Sequence, residues 1–340
     1  ASGGDADGDS ISGIEAVTGS AFNDQLIGDL GNNTLAGGAG DDSLVGGAGS
    51  DALIGGAGQD TADYSASASS VTINLQAGTG LGGDAQGDTF VEIENLVGTS
   101  LDDSLAGDGG ANFINAGIGE DTVHGGAGVD TLLGGSGDDV LSGGAGADSL
   151  VGGSGNDTAD YSASALAVTV NLGTGVGTGG DAQGDSLATI ENVTGSANND
   201  RLTGDDAANI LSGAAGNDTL VGGIGSDTLA GGAGSDTVDY SASGTSVSVN
   251  LAAGFGSGGH AQGDVLSEVE NVIGTIHDDT LIGNADDNVL TGDSGNDLLN
   301  GGAGADTIQG GNGFDTVSYA SSAGGVTVDL AAGIGDENDA

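Results

Sequence analysis

The residue of this chain whose type and spacing could do chemistry is aspartate, set among glycines. Over 125–160 the sequence runs GGAGVDTLL, GGSGDDVLS, GGAGADSLV, GGSGNDTAD, four consecutive nine-residue units. Each has glycine at positions 1, 2 and 4, aspartate at 6 and an apolar residue at 8. The chemistry this offers is cation binding: carboxylate and backbone carbonyl oxygens are the ligands of hard ions, and a flexible oxygen cage suits Ca²⁺ better than Mg²⁺. The same period recurs in 22 units grouped in four blocks, 19–63, 98–160, 195–239 and 274–318.

The elements that must position these aspartates follow from the rest of the unit. Glycines that tolerate positive φ let the first six residues turn tightly, carbonyls inward. The last three residues then form a minimal strand whose middle side chain is buried. That middle position is Leu, Ile, Val or Ala in every unit, for example Leu132, Leu141, Leu150 and Ala159. Two units make one flattened coil, two short strands facing each other across a thin core, with turns along both edges. Stacked coils bring carboxylates of one edge about 4.8 Å apart, a ladder that repels itself unless a counterion sits in it.

These nonapeptides resemble the glycine- and aspartate-rich RTX repeat of secreted bacterial proteins. The resemblance implies an all-β parallel β-roll, a solenoid of 18-residue coils with Ca²⁺ between adjacent turns, and export by type I secretion. It names no biological role, because the repeat serves proteases, lipases, toxins, adhesins and surface layers alike.

Composition narrows the partners. Fifty-one acidic residues against one basic residue, Arg201, give a net charge of −50. That charge argues against nucleic acid and anionic membrane surfaces as partners. Without calcium the chain reads as an acidic solvated coil; with calcium, the metal supplies the folding free energy. There is no cysteine, methionine, tryptophan or proline, and no apolar run approaches a membrane span.

A larger repeat is marked by Tyr64, Tyr161, Tyr240 and Tyr319. The last two intervals between them are equal, and the first is longer by two nonapeptides, so the array grows by whole coils. The blocks alternate with inserts at 64–97, 161–194 and 240–273, while 1–18 and 319–340 read as partial inserts cut from a longer array. Within the inserts, alternating Val71, Ile73 and Leu75 predict a strand with one buried face, as do Val168, Val170 and Leu172 and then Val247, Val249 and Leu251. If super-repeats face the same way, each insert supplies an odd number of half-coils, three in the simplest case, with its glycine-rich loop projecting.

The candidate metal ligands are the position-6 aspartates. Those in tandem register with the GGxG units are Asp42, Asp51, Asp60, Asp121, Asp130, Asp139, Asp148, Asp157, Asp218, Asp227, Asp236, Asp297, Asp306 and Asp315. The opening units depart from the glycine pattern but keep Asp24, Asp103, Asp200 and Asp279. The second units carry Asn33, Asn112, Asn209 and Asn288, expected to be weaker sites or sites completed by Asp29, Asp108 and Asp205. In the insert loops Asp84 and Asp88 recur as Asp5/Asp9, Asp181/Asp185 and His260/Asp264; a further calcium site and an ordinary acidic loop both fit. The tyrosines are expected to cap the core. His124, His260 and His277 share no spacing, and no GxSxG elbow or HExxH helix accompanies the serines.

The expected function is a non-enzymatic, extracellular calcium-binding structural protein, part of an adhesin-like or surface-layer fibre, with head-to-tail or lateral self-association. The alternative is a secretion and folding module of an exported enzyme or toxin.

Overall fold

The computed structural model describes residues 4–330 and the backbone of 334–335. Residues 1–3, 331–333 and 336–340 of the expected partial inserts lie outside the described residues. The chain divides after Asp157 into two compact units, and each is two parallel-rich sheets of short strands joined by turns.

In the first unit one sheet carries Ala16–Thr18, Thr34–Ala39 and Ala52–Ala57, then Ser104–Ala106, Thr122–Gly128 and Val140–Gly146. The facing sheet carries Gln25–Ile27, Ser43–Val45, Thr61–Asp63, Asn95–Val97, Phe113–Ile118, Thr131–Ser136 and Ser149–Ser154. Within the blocks each strand pairs with the strand two units further on: Leu35 lies beside Leu53, Val123 beside Leu141, Leu132 beside Leu150. A three-residue strand can turn only its middle side chain inward, and Leu44, Leu53, Leu132, Leu141 and Leu150 are completely buried. The coil of two nonapeptides expected from the sequence is therefore the coil of the structure.

The inserts are built differently from the expectation. In 64–97 the strands Thr72–Asn74, Thr79–Leu81 and Thr89–Val91 form an antiparallel meander lying in one sheet. Its outer strands join that sheet in parallel, Thr89–Val91 on Ala52–Ala57 and Thr72–Asn74 on Ser104–Ala106. The chain then crosses once, and Asn95–Val97 fills the other sheet between Thr61–Asp63 and Phe113–Ile118. An insert thus spans two half-coils, not an odd number, because its hairpins reverse the chain within one face instead of carrying it around the coil.

The consequence is visible in the second unit, where a block of five nonapeptides separates two inserts. The meander of 161–194 joins the sheet of Arg201–Thr203 and Thr219–Val221. That of 240–273 joins the opposite sheet, between Thr228–Ala230 and Thr280–Ile282. Successive inserts of this unit therefore face opposite ways, which corrects the expectation that super-repeats share one orientation. The glycine-rich loops do not project either. In 82–87 a short 3₁₀ turn, Gly83–Ala85, folds back so that Ala85 is fully buried and the Asp84 N–H donates to Ser67 Oγ at 3.1 Å.

Candidate metal centre

Each position-6 aspartate stands between the tight turn and its strand, and one carboxylate oxygen is used structurally. Beyond the opening unit of each block, Oδ1 accepts the backbone N–H of the position-6 residue one coil upstream. In the first unit Asp121 N–H donates to Asp139 at 2.8 Å, Asp139 N–H to Asp157 at 2.9 Å, and Asp42 N–H to Asp60 at 2.8 Å. Asp130 N–H likewise donates to Asp148 at 2.8 Å. In the second, Asp218 N–H donates to Asp236 at 2.7 Å, Asn288 N–H to Asp306 at 3.0 Å and Asp297 N–H to Asp315 at 3.1 Å.

The other oxygen is the one with chemistry left to do. Among the described residues Oδ2 of Asp42, Asp51, Asp60, Asp121, Asp130, Asp139, Asp218, Asp227, Asp236 and Asp297 is buried with no hydrogen-bond donor. These side chains are at most 2% exposed. An unpartnered carboxylate oxygen in that position is strongly unfavourable unless a cation or a proton meets it. Burial accordingly pushes the carboxyls of Asp121, Asp130, Asp139 and Asp227 up to about 6 and that of Asp218 to about 7, with neighbouring carboxylates adding to the shift. The backbone hydrogen bond on Oδ1 opposes it.

The glycines show what surrounds that oxygen. A Cβ built on Gly134 would run into Asp139 Oδ2 and would lie 2.8 Å from the Gly152 carbonyl oxygen. Carboxylate and carbonyl oxygens of successive turns thus converge on one cradle that a side chain would fill. Gly135, at φ +114°, lies so close to the preceding coil that a Cβ would collide with the Gly117 carbonyl oxygen. No group of three or more His, Cys, Asp or Glu side chains is gathered among the described residues, so backbone carbonyls must complete any cage. An all-oxygen set of this kind fits Ca²⁺.

Not every predicted residue shares this state. Asp103, Asp200 and Asp279 are buried in the same ladder, but both of their oxygens are engaged. Asp103 Oδ2 accepts the Thr99 N–H at 2.5 Å, and Oδ1 accepts the Thr99 hydroxyl at 3.1 Å and the Val71 N–H at 2.8 Å. Ser196 and Val168 hold Asp200 the same way, as do Thr275 and Val247 for Asp279. Asp24 Oδ2 likewise accepts the Ser20 N–H. Position 2 of these units is Ser or Thr instead of glycine, and its N–H turns onto the carboxylate.

The asparagines are also closed. Asn112 Oδ1 accepts the Asp108 N–H at 2.9 Å, and its Nδ2 donates to the Glu94 carbonyl at 2.8 Å. Asn209 and Asn288 repeat both bonds. The carboxylates of Asp29, Asp108 and Asp205 instead cap their own turns at Gly31, Gly110 and Ala207.

Further ladder members lie inside inserts, where the nonapeptide period does not reach. Asp88 accepts the Asp51 N–H at 2.7 Å and Asp264 the Asp227 N–H at 3.0 Å, while Glu94 and Glu270 accept the N–H groups of Asp60 and Asp236. A signal exists: Asp88-Thr89-Phe90 and Glu94-Asn95-Leu96 repeat the acid, polar, apolar order of block strands such as Asp121-Thr122-Val123.

The family described as RTX calcium-binding nonapeptide repeat (4 copies) matches over 9–62, 97–159, 188–242 and 273–318, in overlapping segments. That is more than half of the chain, and the chain belongs to this family. It is a calcium-binding repeat protein with a β-roll fold. No curated protein matches it.

Proposed function

We propose that this chain is an extracellular structural segment of an adhesin-like or surface-layer fibre, folded by calcium after export, with self-association head to tail or side by side. The observation that carries the proposal is the row of buried, donorless Asp Oδ2 atoms, each of which is costly to bury at neutral pH unless a cation meets it. In this reading Asp42, Asp51, Asp60, Asp121, Asp130, Asp139, Asp148, Asp157, Asp218, Asp227, Asp236, Asp297, Asp306 and Asp315 hold the ions through Oδ2. Turn carbonyls complete each cage. Affinities belong to the extracellular class, about 10⁻⁴–10⁻³ M per site, so the low-calcium cell interior leaves the chain unfolded for export.

That same conditional folding favours the second reading, a secretion and folding module of an exported enzyme or toxin. The sequence of the complete gene product separates the two: further tyrosine-marked super-repeats support the fibre, and a flanking hydrolase or pore-forming domain overturns it. Calcium dependence itself is tested by chelation. Excess EGTA at neutral pH is expected to abolish most strand signal in far-UV circular dichroism and to expand the molecule in sedimentation. Unchanged strand content and size would sink the reading.

A further inference from the structure

The carboxylate ladders do not run unbroken through the inserts, and the break has a consistent chemistry. In the first unit one edge runs from Asn33 to Asp51 to Asp88, each N–H donating to the next carboxylate. At Asp88 the second oxygen has what Asp51 lacks. The Tyr64 hydroxyl, buried, donates to Asp88 Oδ2 at 2.6 Å. Tyr161 donates to Asp185 at 3.0 Å and Tyr240 to Asp264 at 2.9 Å, with the same 24-residue separation. All three aspartates are at most 2% exposed.

We infer that the inserts are calcium-free clasps, in which a tyrosine hydroxyl meets the carboxylate oxygen that faces the ion elsewhere in the ladder. The inference rests on the reading of Oδ2 as the calcium-binding atom in the blocks, and it assigns the boundaries of that calcium. Two observations favour a clasp over a metal site. First, Asp88 Oδ1 and Oδ2 both have donors, so no oxygen is left unsatisfied. Second, the neighbouring acid is dispensable. Asp84 and Asp181 are replaced by His260 in the third insert, yet Tyr240 and Asp264 form the same bond, and the His260 N–H donates to Ser243 Oγ at 3.1 Å as Asp84 does to Ser67. A cation site losing a carboxylate for an imidazole, a poor Ca²⁺ ligand, would change character; the clasp does not.

On the far side of each insert the next run also begins closed. Val71 N–H and Thr99 hold Asp103, and the Asn112 amide donates to the Glu94 carbonyl on the other edge. Open carboxylates such as Asp121, Asp130 and Asp139 follow only after these. Calcium is thereby confined to short runs separated by hydrogen-bonded joints.

The test counts bound ions on the full chain by equilibrium dialysis with radioactive calcium at saturating concentration. Asp121→Asn is expected to lose at least one ion relative to the unmodified chain, whereas Asp88→Asn is expected to keep the full number. An Asp88→Asn loss equal to that of Asp121→Asn overturns the clasp. No loss in Asp121→Asn would instead break the calcium reading of the blocks, so the two failures are distinguishable. Should Asp88→Asn not fold, Tyr64→Phe takes its place: it removes the hydroxyl and keeps the ring, leaving Asp88 Oδ2 as open as Asp139 Oδ2, so an ion count unchanged or raised by one is expected, and a lost ion overturns the inference.

Discussion

Asp139, in a block, and Asp88, in an insert, hold the same place in the same kind of ladder. Each precedes a short strand, each is buried, and each accepts a backbone N–H from the coil upstream on Oδ1. They differ in the second oxygen, which has no donor in Asp139 and a tyrosine hydroxyl in Asp88. The pair shows that the ladder itself is a backbone device common to blocks and inserts. Calcium dependence is a local property, decided by what faces one oxygen.

The broadest way to challenge that contrast is protons in place of calcium. Carboxyls raised to about 6 or 7 in the folded blocks bind protons more tightly than they do in the unfolded chain, near 4. Their folded-state advantage is complete below about pH 4 and is lost as pH rises through about 6 to 7. Chelated protein is therefore expected to regain strand signal on acidification and lose it again toward neutrality, while calcium binding runs the opposite way because its ligands must be deprotonated. Circular dichroism across pH in EGTA checks this, and a flat profile would mean the open oxygens carry no such penalty.

A smaller effect asks whether the two regions share one core. Leu132 in a block and Leu96 in an insert are both completely buried. Truncation of either to alanine is expected to lower stability by about 2–5 kcal/mol in saturating calcium, measured by denaturant unfolding. A markedly milder Leu96→Ala would show that the insert is packed more loosely than the block.

The smallest effect separates turns from loops. Gly135→Ala forces a side chain into positive φ against the Gly117 carbonyl, with an expected loss of about 1–3 kcal/mol or more. Gly244, in an insert loop, has nothing within 4 Å of a Cβ, and Gly244→Ala is expected within about 0.5 kcal/mol of the unmodified chain. Thermal melts of the two variants side by side provide the comparison.

The sequence by itself determined the coil of two nonapeptides, the buried middle residue of each strand and the rows of carboxylates, because these follow from a local order repeated unit after unit. It also carried the family. What only the tertiary structure decided is which carboxylates stay open and which way each insert faces. Tyr64 and Asp88 are 24 residues apart, and Val71 and Asp103 are 32 apart; neither separation is a whole number of nonapeptides. Hairpins that reverse the chain within one sheet bring these partners together, and a periodic reading has no term for a strand that turns back on its own face.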